Sequence, residues 1–177
     1  MKKYLLLIFL NIFFTTIYTQ AAEQFPITIH NKAHYFSGKK NINKKLSLFL
    51  QPLAQKICET TLNFDFQVTL SDYDNDVRDF QLVFKNEYFD FTAIVPSAEK
   101  ELHIMWIATN TAHKNKGIAK ACIQCFEKKE MAQLLGYSII TLDSNSTSKT
   151  FYQNLGFTET DFDETDQLSS FQKKILS

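Results

Sequence analysis

The sequence predicts an α+β (mixed α/β) protein whose central sheet is mostly antiparallel and contains one parallel β-α-β unit. Three strand-like runs follow one another closely, at residues 80–85, 88–95 and 102–109. Their short connections imply antiparallel neighbours. The hydrophobic period then becomes helical over residues 117–135, and a buried-type strand follows at 138–142. The strand–helix–strand order of residues 101–143 predicts two parallel strands joined by a right-handed crossover.

The remaining elements follow from the same patterns. Alternation of apolar and polar residues predicts strands at 25–30 and 64–70 and a closing pair, from 157 onward and at 168–175. Helical spacing predicts helices at 43–59 and 146–155, and Pro52 is expected to kink or divide the first. Gly136 and Gly156 are expected to end helices. Residues 71–79 are acidic and rich in turn formers.

Composition excludes several classes of protein. The 177 residues suit one domain, and a hydrophobic content of 45% argues against wholesale disorder. Because 19 Lys and Arg residues balance 19 Asp and Glu residues, we expect no nucleic-acid partner. Arg78 is the only arginine in the sequence, so phosphate binding would fall to lysines and backbone amides.

The N-terminus is typical of a secretory signal peptide. Lys2 and Lys3 precede an 11-residue apolar run at 4–14, and small residues occupy positions 19 and 21. We therefore expect a signal peptide over residues 1–21, a mature domain over 22–177, and export to a periplasm or out of the cell. The run is shorter than the roughly 20 residues of a membrane-spanning helix, so no stable span is expected in the mature chain. An uncleaved leader would instead give a cytoplasmic or membrane-anchored protein.

Neither cysteines nor acidic residues predict a metal site. Cys122 and Cys125 lie three positions apart in a predicted helix, which favours two buried core thiols over a redox or zinc pair. Residues 72–76 resemble the start of a calcium loop. However, Val77 replaces its required glycine and Val83 replaces its closing glutamate. We expect no metal.

The loop before the 117–135 helix has the composition of an anion site. A helix N-terminus presents unpaired amides and the positive end of the helix dipole. Lys114 and Lys116 add two cations, while Gly117 and Ala119 allow an anion close to the backbone. This pattern predicts a phosphate or pyrophosphate cradle, although an ordinary helix start with a tightly packed glycine has the same pattern.

Residues 113–157, HKNKGIAKACIQCFEKKEMAQLLGYSIITLDSNSTSKTFYQNLGF, resemble the core of the GNAT acetyltransferase superfamily. The family loop Gln/Arg-x-x-Gly-x-Gly/Ala corresponds to residues 114–119, with Lys114 in place of Gln or Arg. The other family motifs follow in the expected order: Asn145, Phe151-Tyr152 and Leu155-Gly156-Phe157. The resemblance covers about residues 80–177 well and residues 25–79 only by element order.

The resemblance implies that acetyl-CoA binds as co-substrate between two splayed strands. The pantetheine arm would lie in the wedge and pair with the first strand, and the pyrophosphate would lie on the loop amides. Asn145 would face the cofactor from the end of the second strand. The implied cofactor-binding residues are Ile107, Ala108, Thr109, Lys114, Asn115, Lys116, Gly117, Ile118, Ala119, Asn145 and Tyr152.

The resemblance also implies catalytic roles. Tyr152 occupies the position of the acid that protonates the departing thiolate, and a backbone amide near Ala108 is the candidate oxyanion donor. His103 replaces a family glutamate 14 positions before Gly117, and a histidine can act as a base at neutral pH. Glu101, two residues earlier on the same strand face, would orient His103 or replace it. A water-relayed base is a further alternative.

The expected reaction is transfer of an acetyl group to a primary amine of a small molecule, peptide or protein, by direct attack in a ternary complex. The acceptor and the oligomeric state are not indicated. The acidic run at 159–166 is expected to be a solvated turn or a surface that attracts a cationic acceptor. Because acetyl-CoA is cytosolic while the leader predicts export, the alternative is an exported non-catalytic module that binds an acyl-CoA or a protein partner.

Overall fold

A computed structural model describes residues 25–60, 65–74, 76–96 and 98–175. The predicted signal peptide, residues 1–21, lies outside this part of the chain, so export and cleavage stay predictions. Within the described ranges, no helix combines the length and the apolar character needed to cross a membrane.

The described residues form eight strands and four α-helices. The strands are β1 Thr28–Asn31, β2 Gln67–Tyr73, β3 Asp76–Asn86, β4 Phe89–Val95, β5 Glu101–Thr109, β6 Ile139–Asn145, β7 Thr158–Asp163 and β8 Leu168–Lys174. The helices are α1 Ile42–Cys58, α2 Ile118–Phe126, α3 Lys129–Leu135 and α4 Lys149–Asn154, and single 3-10 turns occur at His34–Phe36 and Thr111–His113.

All eight strands belong to one sheet in the order β1-β2-β3-β4-β5-β6-β8-β7. The pairs β1–β2 and β5–β6 are parallel, and the other neighbouring pairs are antiparallel. The predicted α+β class is therefore confirmed, including the antiparallel run β3–β4–β5 and the parallel unit that joins β5 to β6 through α2 and α3.

The helices pack on one face of the sheet. Phe126 of α2 stacks on Phe91 of β4 and Phe84 of β3, with ring centroids 5.0 and 5.7 Å apart, and all three side chains are fully buried. Aromatic pairs of this kind stabilise the fold beyond the free energy gained by burying their surface area. This stack fixes α2, and the loop that precedes it, relative to the strands.

The opposite face of the sheet, here called the open face, is largely polar. One row of register partners runs across it: Gln81, Ile94, His103, Thr141 and Gln172. Ile94 is buried, and the four polar members of the row are half-buried. The open face therefore presents hydrogen-bonding side chains to solvent, and His103 is one of them.

Pro52 does not divide α1, which was one of the two outcomes expected of it. The helix is continuous over 17 residues. Leu46 and Leu50 before the proline, and Leu53 and Ile57 after it, all have 0% exposure on the same helix face. Burial of both halves against the sheet outweighs the hydrogen bond that Pro52 cannot donate.

The single helix predicted at 117–135 is instead two helices. Lys128 has an extended backbone, with φ −71° and ψ 130°, and separates α2 from α3. A continuous helix would place Phe126 and Met131 roughly 140° apart around its axis. The break allows both side chains to reach the core, where each is 0% exposed. Gly136, with φ 93°, ends α3 as expected.

The predicted acidic turn over residues 71–79 is also shorter than expected. Ser71 pairs with Gln81 and Asp72 pairs with Phe80, so β2 and β3 extend into the segment. Main-chain pairing thus overrides the turn-forming composition as far as the pair of Tyr73 with Asp76.

Candidate acyl-transfer site

Strands β5 and β6 diverge partway along their length. They pair only from Glu101 with Ile139 to Ile104 with Leu142, and then continue separately to Thr109 and Asn145. A bulge occurs at the point of separation, because Thr92 faces Trp106 while Ala93 faces Ile104, which leaves Met105 without a partner. A bulge bends the strand that carries it. The predicted splay is therefore present, and the space between the two strands is here called the wedge.

The β6-facing edge of β5 is unpaired along the wedge. Within the described residues, β6 does not pair with β5 beyond Ile104. The Asn110 amide donates to the Tyr88 carbonyl at 2.9 Å, on the β4 side. Because alternate residues of a strand direct their main-chain groups to opposite edges, the Ala108 amide also faces β4, and the amides of Ile107 and Thr109 face the wedge. The amides near Ala108 that are free to face the wedge are therefore those of these two neighbours.

The loop after β5 presents a set of unpartnered amides. Asn110 accepts a hydrogen bond from the Ala112 amide at 3.1 Å, which fixes the 3-10 turn. Gly117 then adopts φ 81°, a left-handed conformation that favours glycine, immediately before α2. The Ala121 amide makes the first helical bond, 2.9 Å to the Gly117 carbonyl. In the described part of the chain, no hydrogen bond involves the amides of residues 115–120, here called the phosphate cradle.

Two lysines place positive charge at the cradle. Lys114 and Lys120 line the cleft in front of it, whereas the predicted contact Lys116 does not. Lys56 of α1 also lies near, with its Cε 3.5 Å from the position that a Cβ on Gly117 would take, but its ammonium pairs with the Glu59 carboxylate at 3.0 Å. Lys56 was not predicted because it lies 61 positions before the cradle glycine. The dipole of α2 and these cations favour an anion at the cradle.

A cleft of about 650 Å³ joins the cradle to the free edge of β5 and to α4. All predicted cofactor residues except Lys116 and Asn145 line it. Asn145 instead lines an adjoining cavity of about 150 Å³ in the wedge. The cleft residues missed by the sequence analysis are His113, Lys120, Thr147, Ser148 and Phe151. All of them lie within residues 113–157, the segment that resembles the family core. The resemblance therefore located the region of the cleft, although it did not identify these individual residues.

Tyr152 lies where the cleft meets the wedge, and it lines both cavities. Its ring packs against Phe157 and Phe171, with centroids 6.0 and 6.1 Å away, and the residue is 7% exposed. The Phe157 amide donates to the Tyr152 carbonyl at 3.1 Å, so the Leu-Gly-Phe motif holds the end of α4. Burial raises the pKa of the Tyr152 phenol, so the group stays protonated at neutral pH.

Asn145 organises the turn between β6 and α4. Its side-chain oxygen accepts from the Thr147 hydroxyl at 2.7 Å and from the Ser148 amide at 3.2 Å. Side-chain caps of this type stabilise a turn without regular backbone pairing. Asn145 therefore fixes the approach to α4, which carries Tyr152, and also lines the wedge.

His103 and Glu101 lie on the open face, beside the part of β5 that still pairs with β6. Neither residue lines the cleft or the wedge cavity. Nδ1 of His103 lies 3.0 Å from Oγ1 of Thr141, a partner that the sequence analysis did not identify. Burial, followed by repulsion from Glu99, raises the pKa of the Glu101 carboxyl. The structure thus pairs His103 with Thr141 on the neighbouring strand.

The raised pKa of Glu101 predicts that the ionised carboxyl destabilises the fold in a pH-dependent way. A carboxyl whose pKa is higher in the folded than in the unfolded state stabilises the fold below the unfolded pKa, and this stability is lost as pH rises through the folded pKa. Glu101→Gln should therefore raise the unfolding midpoint at pH 7 but not at about pH 4, below its ordinary pKa of 4.5. Thermal unfolding at the two pH values measures this. Glu164→Gln, at an exposed turn, is the control, and an equal gain for Glu101→Gln at both pH values would contradict the prediction.

One family model matches part of the chain. Residues 79–159 match the family model described as the acetyltransferase (GNAT) domain. No curated protein matches the sequence significantly. The matched segment runs from the middle of β3 into β7 and includes the wedge, the cradle and α4.

Three solved structures show what this chain is similar to. An acetyltransferase from Bacillus cereus ATCC 14579 has a TM-score of 0.45 at 23% identity, over 54% of this chain and 72% of that one. Ard1 from Thermoplasma volcanium has a TM-score of 0.44 at 14% identity, over 55% and 71% of the two chains. Tetrahymena GCN5 has a TM-score of 0.45 at 9% identity, over 57% and 71%.

Proposed function

We propose that this chain, whose residues 79–159 match the acetyltransferase (GNAT) domain, transfers an acetyl group from acetyl-CoA to a primary amine. That match supports an acyltransferase; the acetyl donor and the amine acceptor are the finer part of the proposal. The observation that carries it is the continuity of the phosphate cradle with the unpaired edge of β5 in one cleft.

The residues present fit acetyl-CoA. The cradle amides, the N-terminus of α2, and Lys114 and Lys120 suit a diphosphate. The main-chain groups of Thr109 that face the wedge suit the amides of a pantetheine arm, which would pair with β5 as an added strand does. A thioester at the end of that arm would lie beside Tyr152.

The reaction needs a carbon–nitrogen bond to form and a carbon–sulfur bond to break. The attacking amine loses a proton, the carbonyl oxygen gains negative charge, and the sulfur leaves as a thiolate. We assign the oxyanion to the wedge-facing amide of Ile107, the residue of the two that lines both cavities. Tyr152, held protonated by burial, donates its phenol hydrogen toward the thiolate.

The proton of the amine is assigned to His103, acting through a water because the side chain does not line the wedge. Its hydrogen bond to Thr141 fixes the ring, and Glu101 lies on the same face of β5. In this arrangement the second ring nitrogen is available to the open face, from which an acceptor can approach the wedge.

His103→Ala is expected to lower the acetyl-transfer rate by about 10²-fold, the lower end for a general base, and to remove the acidic limb of the pH–rate profile. The measurement is kcat/KM between pH 5 and 9. His30→Ala, an exposed histidine on the edge strand β1, provides the matched control. An unchanged pH–rate profile in His103→Ala would retire the assignment.

Release of free CoA thiol tests the function as a whole. The full-length protein is mixed with acetyl-CoA and a panel of primary amines that includes small alkylamines and lysine peptides. Thiol release that requires both protein and amine, with the acetylated amine seen by mass spectrometry, is the expected result. Binding of acetyl-CoA without transfer to any amine would overturn the transferase proposal.

A further inference from the structure

Trp106 is the only tryptophan in the sequence and is 60% exposed. The neighbouring Met105 is 48% exposed. Both follow Ile104, the last residue of β5 that pairs with β6, and both line the wedge cavity. Large apolar side chains exposed together at a cavity mark a ligand or partner site more often than isolated exposed ones do. Because Tyr152 lines the same cavity, the ligand that best suits these two side chains is the amine acceptor of the proposed reaction.

The wedge cavity also contains a carboxylate. Asp143 of β6 lines it, and Oδ1 of Asp143 accepts a hydrogen bond from the Ser170 hydroxyl at 2.7 Å. Within the described chain, no ion pair involves Asp143. The wedge thus combines a tryptophan ring with a positioned carboxylate that forms no ion pair with any cation of the described residues.

Further negative charge lies at the same end of the sheet. Leu168 of β8 is the register partner of both Asn145 at the end of β6 and Asp163 at the end of β7. Asp161 and Asp163 are exposed on β7. Charges of one sign around a cleft raise the local concentration of an oppositely charged ligand.

We propose that the acceptor is a diamine or polyamine, an inference that rests on the proposed function and names its substrate class. One amine, in its neutral form, attacks the thioester in the wedge. A second amine, in its ammonium form, lies against the Trp106 ring and the Asp143 carboxylate. Cation–π contact and charge pairing both favour such a ligand over one with a single amine. The acetyl group moves to the neutral amine with the same proton transfers as above.

Two ligands of matched shape test the proposal. In 4-aminobutan-1-ol a hydroxyl replaces one of the two amines of 1,4-diaminobutane. Because Trp106 is the sole tryptophan, its fluorescence reports binding at the wedge directly. The full-length protein is first saturated with CoA. We expect the diamine to change this fluorescence at a concentration at least about tenfold lower than the amino alcohol does. A tenfold difference in affinity requires only a modest difference in binding free energy.

Asp143→Asn should remove this preference, because the amide oxygen retains the Ser170 hydrogen bond but carries no charge. Asp74→Asn, at the exposed turn between β2 and β3, makes the same charge change and should leave the preference intact. Trp106→Leu, which has no fluorescence signal, is assayed by acetyl transfer and should lower kcat/KM for the diamine at least about tenfold more than for the amino alcohol.

Equal half-saturation for the two ligands, no saturable change with either, or a preference that survives in Asp143→Asn would overturn the inference. A parallel measurement of acetyl-CoA binding separates this failure from failure of the proposed function. Acetyl-CoA binding and amine acetylation without a diamine preference would defeat only the substrate class. Absence of acetyl-CoA binding would defeat the proposed function itself.

Discussion

Ala119→Glu is expected to weaken acetyl-CoA binding by more than about 100-fold while leaving the fold intact. Ala119 lines the cleft in the first turn of α2, within the phosphate cradle. A carboxylate there opposes the diphosphate at close range, and two like charges about 4 Å apart near a protein surface repel by roughly 4 kcal/mol. The same carboxylate is favourable to the helix, because it lies at the positive end of the dipole. Titration calorimetry with acetyl-CoA and thermal unfolding measure the two effects separately.

Ala119→Gln supplies the control for size, since glutamine has the shape of glutamate without its charge. We expect its affinity for acetyl-CoA to fall less than that of Ala119→Glu, and we expect the difference between them to shrink as salt screens the repulsion. Normal acetyl-CoA affinity in Ala119→Glu would show that the cradle does not hold the diphosphate.

Tyr152→Phe is expected to lower kcat by about 10²-fold or more and to leave acetyl-CoA affinity nearly unchanged. The ring contacts with Phe157 and Phe171 remain in the variant, and only the phenol oxygen at the junction of cleft and wedge is removed. Steady-state kinetics with a separate binding measurement gives both quantities. A large loss of affinity with kcat intact would make Tyr152 a binding residue.

Tyr137→Phe is the matched control, with the opposite expectation. The Tyr137 hydroxyl donates to the Phe126 carbonyl at 2.6 Å in the core, away from both cavities. Its removal leaves a buried acceptor without a partner, which costs about 1–3 kcal/mol of stability. We expect a lower unfolding midpoint and an unchanged kcat in Tyr137→Phe.

Local sequence patterns correctly predicted the elements that are determined by short connections and by helix-ending residues. Short connections between β3, β4 and β5 fixed their antiparallel pairing, and Gly136 fixed the end of α3. The break at Lys128 and the continuous helix through Pro52 depend instead on which side chains reach the core. Such packing is decided by residues distant in sequence, so tertiary contacts override local propensity.

The bulge at Met105 shows why part of the site escaped prediction. Strict alternation along β5 would place Trp106 on the buried face with Leu102 and Ile104. One extra residue reverses the faces, so that Trp106 points outward and Ile107 becomes the register partner of Phe91 on the helix-covered face. The cradle could be predicted because its residues are consecutive in sequence. Lys56 and Asp143 join the site only through the fold.

Thermal unfolding of the full-length protein with acetyl-CoA tests most directly whether the cleft holds this co-substrate. A ligand that binds only the folded state at 100 times its dissociation constant adds about 2.7 kcal/mol of stability. For a chain of this length we therefore expect the midpoint to rise by about 5–11 °C with acetyl-CoA and to stay constant with acetate. A midpoint that does not move at millimolar acetyl-CoA would contradict binding in the cleft.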